Sequence, residues 1–295
     1  MTSFSWNDLT TVFIVILMTL SAVTNFLLVI DILVSSRLRN IVFNVCVGNL
    51  ALINVMQSVT IAIFSVSHLV GHQWLLNPIV CSWNCWLSSV LDAETIFAVT
   101  LMTVDRAIVA LSPRLYDSHM SFCRLAVMLA AIWTIGITFF APVIFNDFRS
   151  RFHPVSLSCV MYGILCTCFP LVITFFAMAI ILLRIHQFRR RLRKIKRNKI
   201  KASTHQLKDF YEQARRGIYS LLVFCAFFVL HGPYLTFELL SHIMSDVEIG
   251  TTYLEDITVT WIKTIFLLIF PFLSFFLYSD IRAEFKNLLC IDNEG

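Results

Sequence analysis

The chain has 295 residues, 58% of them hydrophobic and 14% charged, with a net charge of +5 and a mean hydropathy of +0.79. Soluble domains carry roughly a quarter charged residues, so this composition excludes an ordinary soluble globule and points to a membrane protein. The positive balance gathers in a few connecting stretches, which reads as one basic face of a membrane protein and not as a nucleic-acid surface.

The first ten residues, MTSFSWNDLT, are polar and lack a basic start. No cleavable signal peptide is read there, and the first apolar segment is expected to remain as an anchor. A bilayer core about 30 Å thick takes roughly 20 apolar residues per helix. Segments near 11–34, 43–66, 78–104, 125–145, 160–183, 218–242 and 257–278 meet that requirement. In lipid every backbone polar group has to be satisfied internally, and the alternating strands of a β-barrel are absent. The expected fold is an all-α membrane protein, one domain over 1–295 built as a seven-transmembrane helix bundle, with a short amphipathic eighth helix near 280–290.

Lys and Arg set the orientation. Arg37 and Arg39 follow the first segment, Arg114 and Arg124 the third, and Arg282 and Lys286 the seventh. The stretch 184–216 carries thirteen basic residues, including RRRLRKIKR at 189–197. Only Arg149, Arg151 and Lys263 fall toward the other side. The N-terminus is therefore expected outside and the C-terminus in the cytosol. The basic run fits topology and attraction to anionic lipid, about 1 kcal/mol per cation near the surface. Docking of a protein partner is an additional reading. The run lacks Gly and Pro until Gly217, so 184–216 is expected to prolong the flanking helices into the cytosol.

The third segment ends in Asp105–Arg106. A charge at a helix end can anchor at lipid headgroups. Counting back in helical steps, however, gives Thr103, Val99, Thr95 or Ile96, Asp92, Ser88, Cys85 and Cys81 near one face. A lipid-facing helix would not carry such a stripe, so the third segment is expected at the centre of the bundle. Asp92 lies on the Arg106 face and Glu94 well away from it. Intramembrane acids usually face the interior. Asp92 is a candidate for ligand contact, for an internal Asp–His bond, or for a buried structural hydrogen bond. The candidate pocket comprises Ser88, Ser89, Asp92, Trp86, His231, Tyr234, Glu238 and Lys263. Lys263 has the further options of pairing with Glu238 or Asp256, or of holding an acidic ligand.

These residues resemble the rhodopsin-like (class A) G protein-coupled receptors. The resemblance rests on Cys81, the Asp105–Arg106 pair, Pro113 and Tyr116; on Asn25, the GNLALIN run at 48–54 and Trp74; on Trp133, Pro170, and Phe227 with Pro233–Tyr234; and on SFFLYSDIRAEF at 274–285. It covers residues 15–290. Departures accompany it. Ala107 follows the Asp-Arg pair, and Asn54 replaces the second segment's sodium-binding aspartate. His231 stands at the usual tryptophan, and Ser274–Phe275 replace Asn-Pro before Tyr278, with Pro271 earlier. Met178 holds the usual tyrosine position.

The resemblance implies that a heterotrimeric G protein is the partner, with Asp105, Arg106, Tyr278 and Met178 as the switch. It implies a disulfide between Cys81 and Cys159, the alternative being free thiols. Cys290 is a candidate palmitoylation site. The family's inner acid in the sixth segment falls at Gln213, which cannot form a salt bridge, so a loose resting lock with some ligand-free output is expected. Asn54 brings no charge, so signalling insensitive to sodium is expected. The family's amine-binding acid falls at Ser88, one turn outward from Asp92. The retinal-bearing lysine of opsins falls at Leu268, so no cofactor is expected. The extracellular ligand reads as a small molecule or short peptide. Two rivals stand beside this reading: a receptor-shaped protein that does not signal or only modulates another, and a seven-span transporter or channel. An enzyme is not expected, because the eight histidines are scattered and do not cluster with acids for a metal.

Overall fold

The computed structural model describes residues 6–71, 78–112, 116, 120–145, 163–198, 204–236 and 253–288. Among them the regular structure is helical, with no strand. The long helices are α1 (Trp6–Val34), α3 (Val42–Gly71), α4 (Pro78–Leu111), α5 (Phe122–Phe145), α6 (Phe169–Asn198), α7 (Thr204–Leu230) and α8 (Tyr253–Leu277). A short α2 (Ser36–Arg39) turns the chain between α1 and α3, and α9 (Ser279–Leu288) follows α8 after a break at Tyr278. Six helices are long and apolar enough to cross a membrane, and α8 contributes a shorter apolar stretch, Trp261–Leu277. The architecture is a seven-helix bundle.

Local chemistry explains the joints. Ser35 caps α2 by accepting the Leu38 N–H at 3.3 Å, which fixes the hairpin into α3. Helix α7 breaks at His231, and residues 232–236 resume the helix. Pro233 has no N–H to continue the ladder there. Pro271 inside α8 removes the helical donor to the Leu267 carbonyl. Asn25 on α1 takes that carbonyl instead, its Nδ2 donating at 2.9 Å. The proline thus converts an interruption in one helix into a tie to another. A π-helical turn, Gly163–Cys168, leads into α6.

The stripe on α4 has a structural counterpart. The helix packs against α3, α5, α6 and α7. Of its apolar stretch, 67% is buried, against 11% for α5. Helix α4 is the hub and α5 lies at the rim. The outer faces carry large apolar side chains such as Ile16, Val127 and Phe176. In water that ring would be an aggregation surface, whereas lipid solvates it. Small residues allow the closest approach between α4 and α5: a Cβ added at Gly136 would run into the Glu94 carboxylate. Glu94 is fully buried, and neither of its oxygens has a hydrogen-bond partner among the described residues.

Helix α9 is amphipathic. Ile281 is buried while Arg282 is exposed. Phe285 packs on Phe275 of α8 with ring centroids 4.4 Å apart. Arg37 of α2 reaches Glu284 at 3.3 Å, closing the same end of the bundle.

Candidate functional site

Two charged centres lie on α4, about three and a half turns apart. The first surrounds Asp92, which is 1% exposed. Its Oδ1 receives the Lys263 ammonium at 2.5 Å and the Gln57 amide at 2.9 Å. Gln57 also donates to the Thr95 hydroxyl at 3.3 Å. His231 Nε2 stands 3.8 Å from the same oxygen. Helices α3, α4 and α8 and the α7 break therefore meet at one carboxylate. The walls are aromatic. His231 stacks on Phe227 at 5.0 Å and meets Tyr234 edge-on at 5.7 Å, and the Lys263 ammonium lies 3.9 Å over the Tyr234 ring.

Of the candidate pocket residues, the structure brings Asp92, His231, Tyr234 and Lys263 together. Ser88 and Ser89 are partly buried on α4, Ser88 one turn from Asp92. Glu238 lies outside the described residues, as do Cys159 and Cys290, so the Cys81–Cys159 bridge and the lipid attachment have no structural account. Lys263 finds its acid at Asp92, across the bundle. Gln57 was not singled out from the sequence. A neutral amide in an apolar run gives no cue to its partner, although its mere presence in a span is a polar signal.

The second centre is at the far end of α4. Arg106 is 5% exposed, and its Nε and Nη2 donate to Asp105 Oδ2, the former at 2.8 Å. Tyr116 donates its hydroxyl to Asp105 Oδ1 at 2.6 Å. The guanidinium lies 4.5 Å over the Phe43 ring of α3. Burial, then the Asp105 charge and the hydrogen bond to it, push the Tyr116 phenol above its ordinary pKa, so it remains a donor. Arginine suits this place because its planar cation stacks on a ring while its edge binds a carboxylate.

Beside this pair, α3, α7 and α8 are joined by polar and aromatic contacts. Tyr219 of α7 shares a hydrogen bond with Ser274 of α8 at 2.6 Å, and Ser274 donates to the Phe270 carbonyl. Tyr278 donates to Asn44 of α3 at 2.7 Å. The Tyr219 and Tyr278 rings stack at 5.4 Å, and Phe43 meets both edge-on. At the same end Arg215 and Arg216 of α7 reach the two oxygens of Asp280 on α9, at 3.2 and 3.0 Å. Tyr278 is therefore in the tie between α8 and α3, while Met178 is buried in the apolar core on α6. The arginines of α7 read from the sequence as topology charges; their shared acid lies 64 and 65 residues away, beyond any local pattern.

Between the two centres, Asn54 donates to Asn25 at 3.3 Å and Ser58 to Ser21 at 2.9 Å, linking α3 to α1. Trp133 of α5 donates to Asn49 of α3 at 3.1 Å. These amides and hydroxyls tie helices together and bring no net charge.

Comparison with known proteins places this arrangement. The model of the family described as "7 transmembrane receptor (rhodopsin family)" matches residues 24–281. The human 5-hydroxytryptamine receptor 4 is 24% identical over 303 residues, covering 92% of this chain and 76% of that receptor. The mouse neuropeptide Y receptor type 6 is 25% identical over 140 residues, 47% of this chain and 37% of the receptor. The Drosophila melanogaster dopamine D2-like receptor is 23% identical over 120 residues, 41% of this chain and 13% of that protein.

Proposed function

Because the chain belongs to the rhodopsin family of seven-transmembrane receptors, we propose that it is a plasma-membrane receptor that answers an extracellular small molecule or short peptide by activating a heterotrimeric G protein. The N-terminus faces outside, and the basic ends of α6 and α7 with α9 face the cytosol. The ligand acts at the Asp92 centre, and the Arg106 centre faces the G protein. Membership of a receptor family, and not of an enzyme family, rests on the same match.

One observation carries this reading. Arg106 is buried near the end of the hub helix that lies away from Asp92, and its partner, Asp105, is its own neighbour in sequence. Such an ion pair ties no two helices together, and the contact of Arg106 with another helix is the face of Phe43 on α3, so the guanidinium can exchange acids without breaking an interhelical salt bridge. That is the requirement for a two-state element biased from a distance. The restraint on α7 comes from elsewhere. Gln213 offers no acid, whereas Asp280 binds Arg215 and Arg216. The degree of ligand-free output therefore turns on Asp280 and not on residue 213. Anionic lipid is the second partner of the basic helix ends, which include the exposed Arg189, Arg190 and Arg193.

The test is nucleotide exchange on a promiscuous G protein in membranes carrying the receptor, screened against amines, lipids and short peptides. Arg106→Ala is expected to abolish exchange while ligand binding persists. Exchange that survives Arg106→Ala would overturn the coupling role and leave the modulatory reading.

A further inference from the structure

The Asp92 centre has the make-up of an ammonium receptor, and its ammonium belongs to the protein. A carboxylate and the face of a tyrosine are the two groups that recognise an organic cation out of water. Both are here. Lys263 Nζ sits 2.5 Å from Asp92 Oδ1 and 3.9 Å above the Tyr234 ring. Only 6% of the lysine is exposed. The remaining oxygen, Asp92 Oδ2, is buried and has no hydrogen-bond partner among the described residues.

We propose that Lys263 is the specificity-determining residue of this pocket: a tethered cation that occupies the ammonium position on Asp92 and so excludes free amines as ligands. The inference rests on reading this centre as the ligand site. A free amine has two routes to Asp92. It can evict Lys263, competing against a group whose effective concentration is set by its own attachment, of the order of millimolar or more. Alternatively it can approach Oδ2 with Lys263 in place, bringing two like charges to one carboxylate in a low-dielectric setting. Both routes oppose binding. A ligand that presents a neutral or acidic group meets no such opposition. Two of the relatives are named for amines, dopamine and 5-hydroxytryptamine; in this chain the acid of the pocket, Asp92, is already held by the protein's own ammonium.

The experiment removes the tether and supplies its end in solution. Full-length receptor is purified in detergent as wild type, Lys263→Ala, and Lys263→Ala with Asp92→Asn. Thermal melting is followed with n-propylammonium, which replaces the missing piece of side chain, and with n-propanol as its uncharged match. Lys263→Ala is expected to be stabilised by n-propylammonium at a concentration about tenfold below that of n-propanol. The wild type and the double variant are expected to make no distinction. If Lys263→Ala gives no folded protein by itself, folded yield with each additive present during solubilisation is compared instead. Equal effects of the two compounds on Lys263→Ala, or equal stabilisation of wild type by n-propylammonium, would overturn the proposal. Melting needs no G protein, so loss of coupling bears on the receptor reading alone, and absence of rescue in a coupling-competent receptor bears on this inference alone.

Discussion

The two buried ion pairs on α4 are built oppositely. Asp92 and Lys263 are 171 residues apart and join two helices. Asp105 and Arg106 are neighbours and join nothing beyond their own helix end, apart from the Tyr116 hydroxyl and the Phe43 ring. A pair that crosses the bundle is part of the architecture, and breaking it strands a charge where lipid and packed side chains offer no solvent. A pair between neighbours leaves the architecture alone, as the proposed switch requires. The same chemistry thus joins two helices at one end and two neighbours in sequence at the other.

The sharpest way to break this comparison is to remove one cation at a time. Lys263→Ala is expected to cost about 3–5 kcal/mol, because it leaves Asp92 buried and unpaired. Arg106→Ala is expected to cost less, although Asp105 is as buried as Asp92, because Asp105 keeps the Tyr116 hydroxyl and no ion pair between helices is cut. Thermal melting of both variants decides the matter: equal losses would erase the distinction. Glu94 extends the comparison to an acid on the same helix that has no hydrogen-bond partner among the described residues. Gly136→Ala drives a methyl group into its carboxylate and is expected to cost about 1–3 kcal/mol, read by melting and by folded yield. An unchanged melting temperature would mean that the Glu94 carboxylate turns aside to make room. Tyr116→Phe removes the donor on Asp105 and is expected to cost about 1 kcal/mol, with Arg106 more readily released. Nucleotide exchange without ligand should rise modestly, and an unchanged rate would place Tyr116 outside the switch. The smallest effect on stability is expected for Asp280→Asn. Its arginine contacts are partly solvent-exposed and contribute about 0.2–1 kcal/mol. Its effect on ligand-free exchange should nevertheless exceed that of Tyr116→Phe, because it frees α7. The reverse order would move the restraint to Asp105.

The fold class was legible because lipid imposes a simple rule, long apolar helices with basic residues gathered in alternate connections, and this chain follows it in six long helices and one shorter apolar stretch. The central place of α4 could be read from the phase of its polar residues, since a stripe of Thr, Asp and Ser is costly against lipid. The partner of Lys263 could not. Helical phase says which way Asp92 points, but which base meets it depends on the tilt and rotation of α8, where Pro271 and the Asn25 tie intervene. Glu238 and Asp256 were equally good partners by sequence, and Asp92 appeared only as a member of the same pocket. The same applies to Arg215, Arg216 and Asp280. Each is an ordinary charge near a membrane end until α9 folds back and brings the acid beneath α7.

Three rings at the Arg106 end, Phe43, Tyr219 and Tyr278, come from α3, α7 and the end of α8. They amount to a clutch. While the two tyrosine faces touch, a rotation of α7 should be carried to the end of α8; parting them, together with the Tyr219–Ser274 hydrogen bond, should let the helices turn independently. Engagement should leave its own trace in the magnetic shielding of the Phe43 ring protons, so it can be followed by labelling a single side chain, with no activating compound needed.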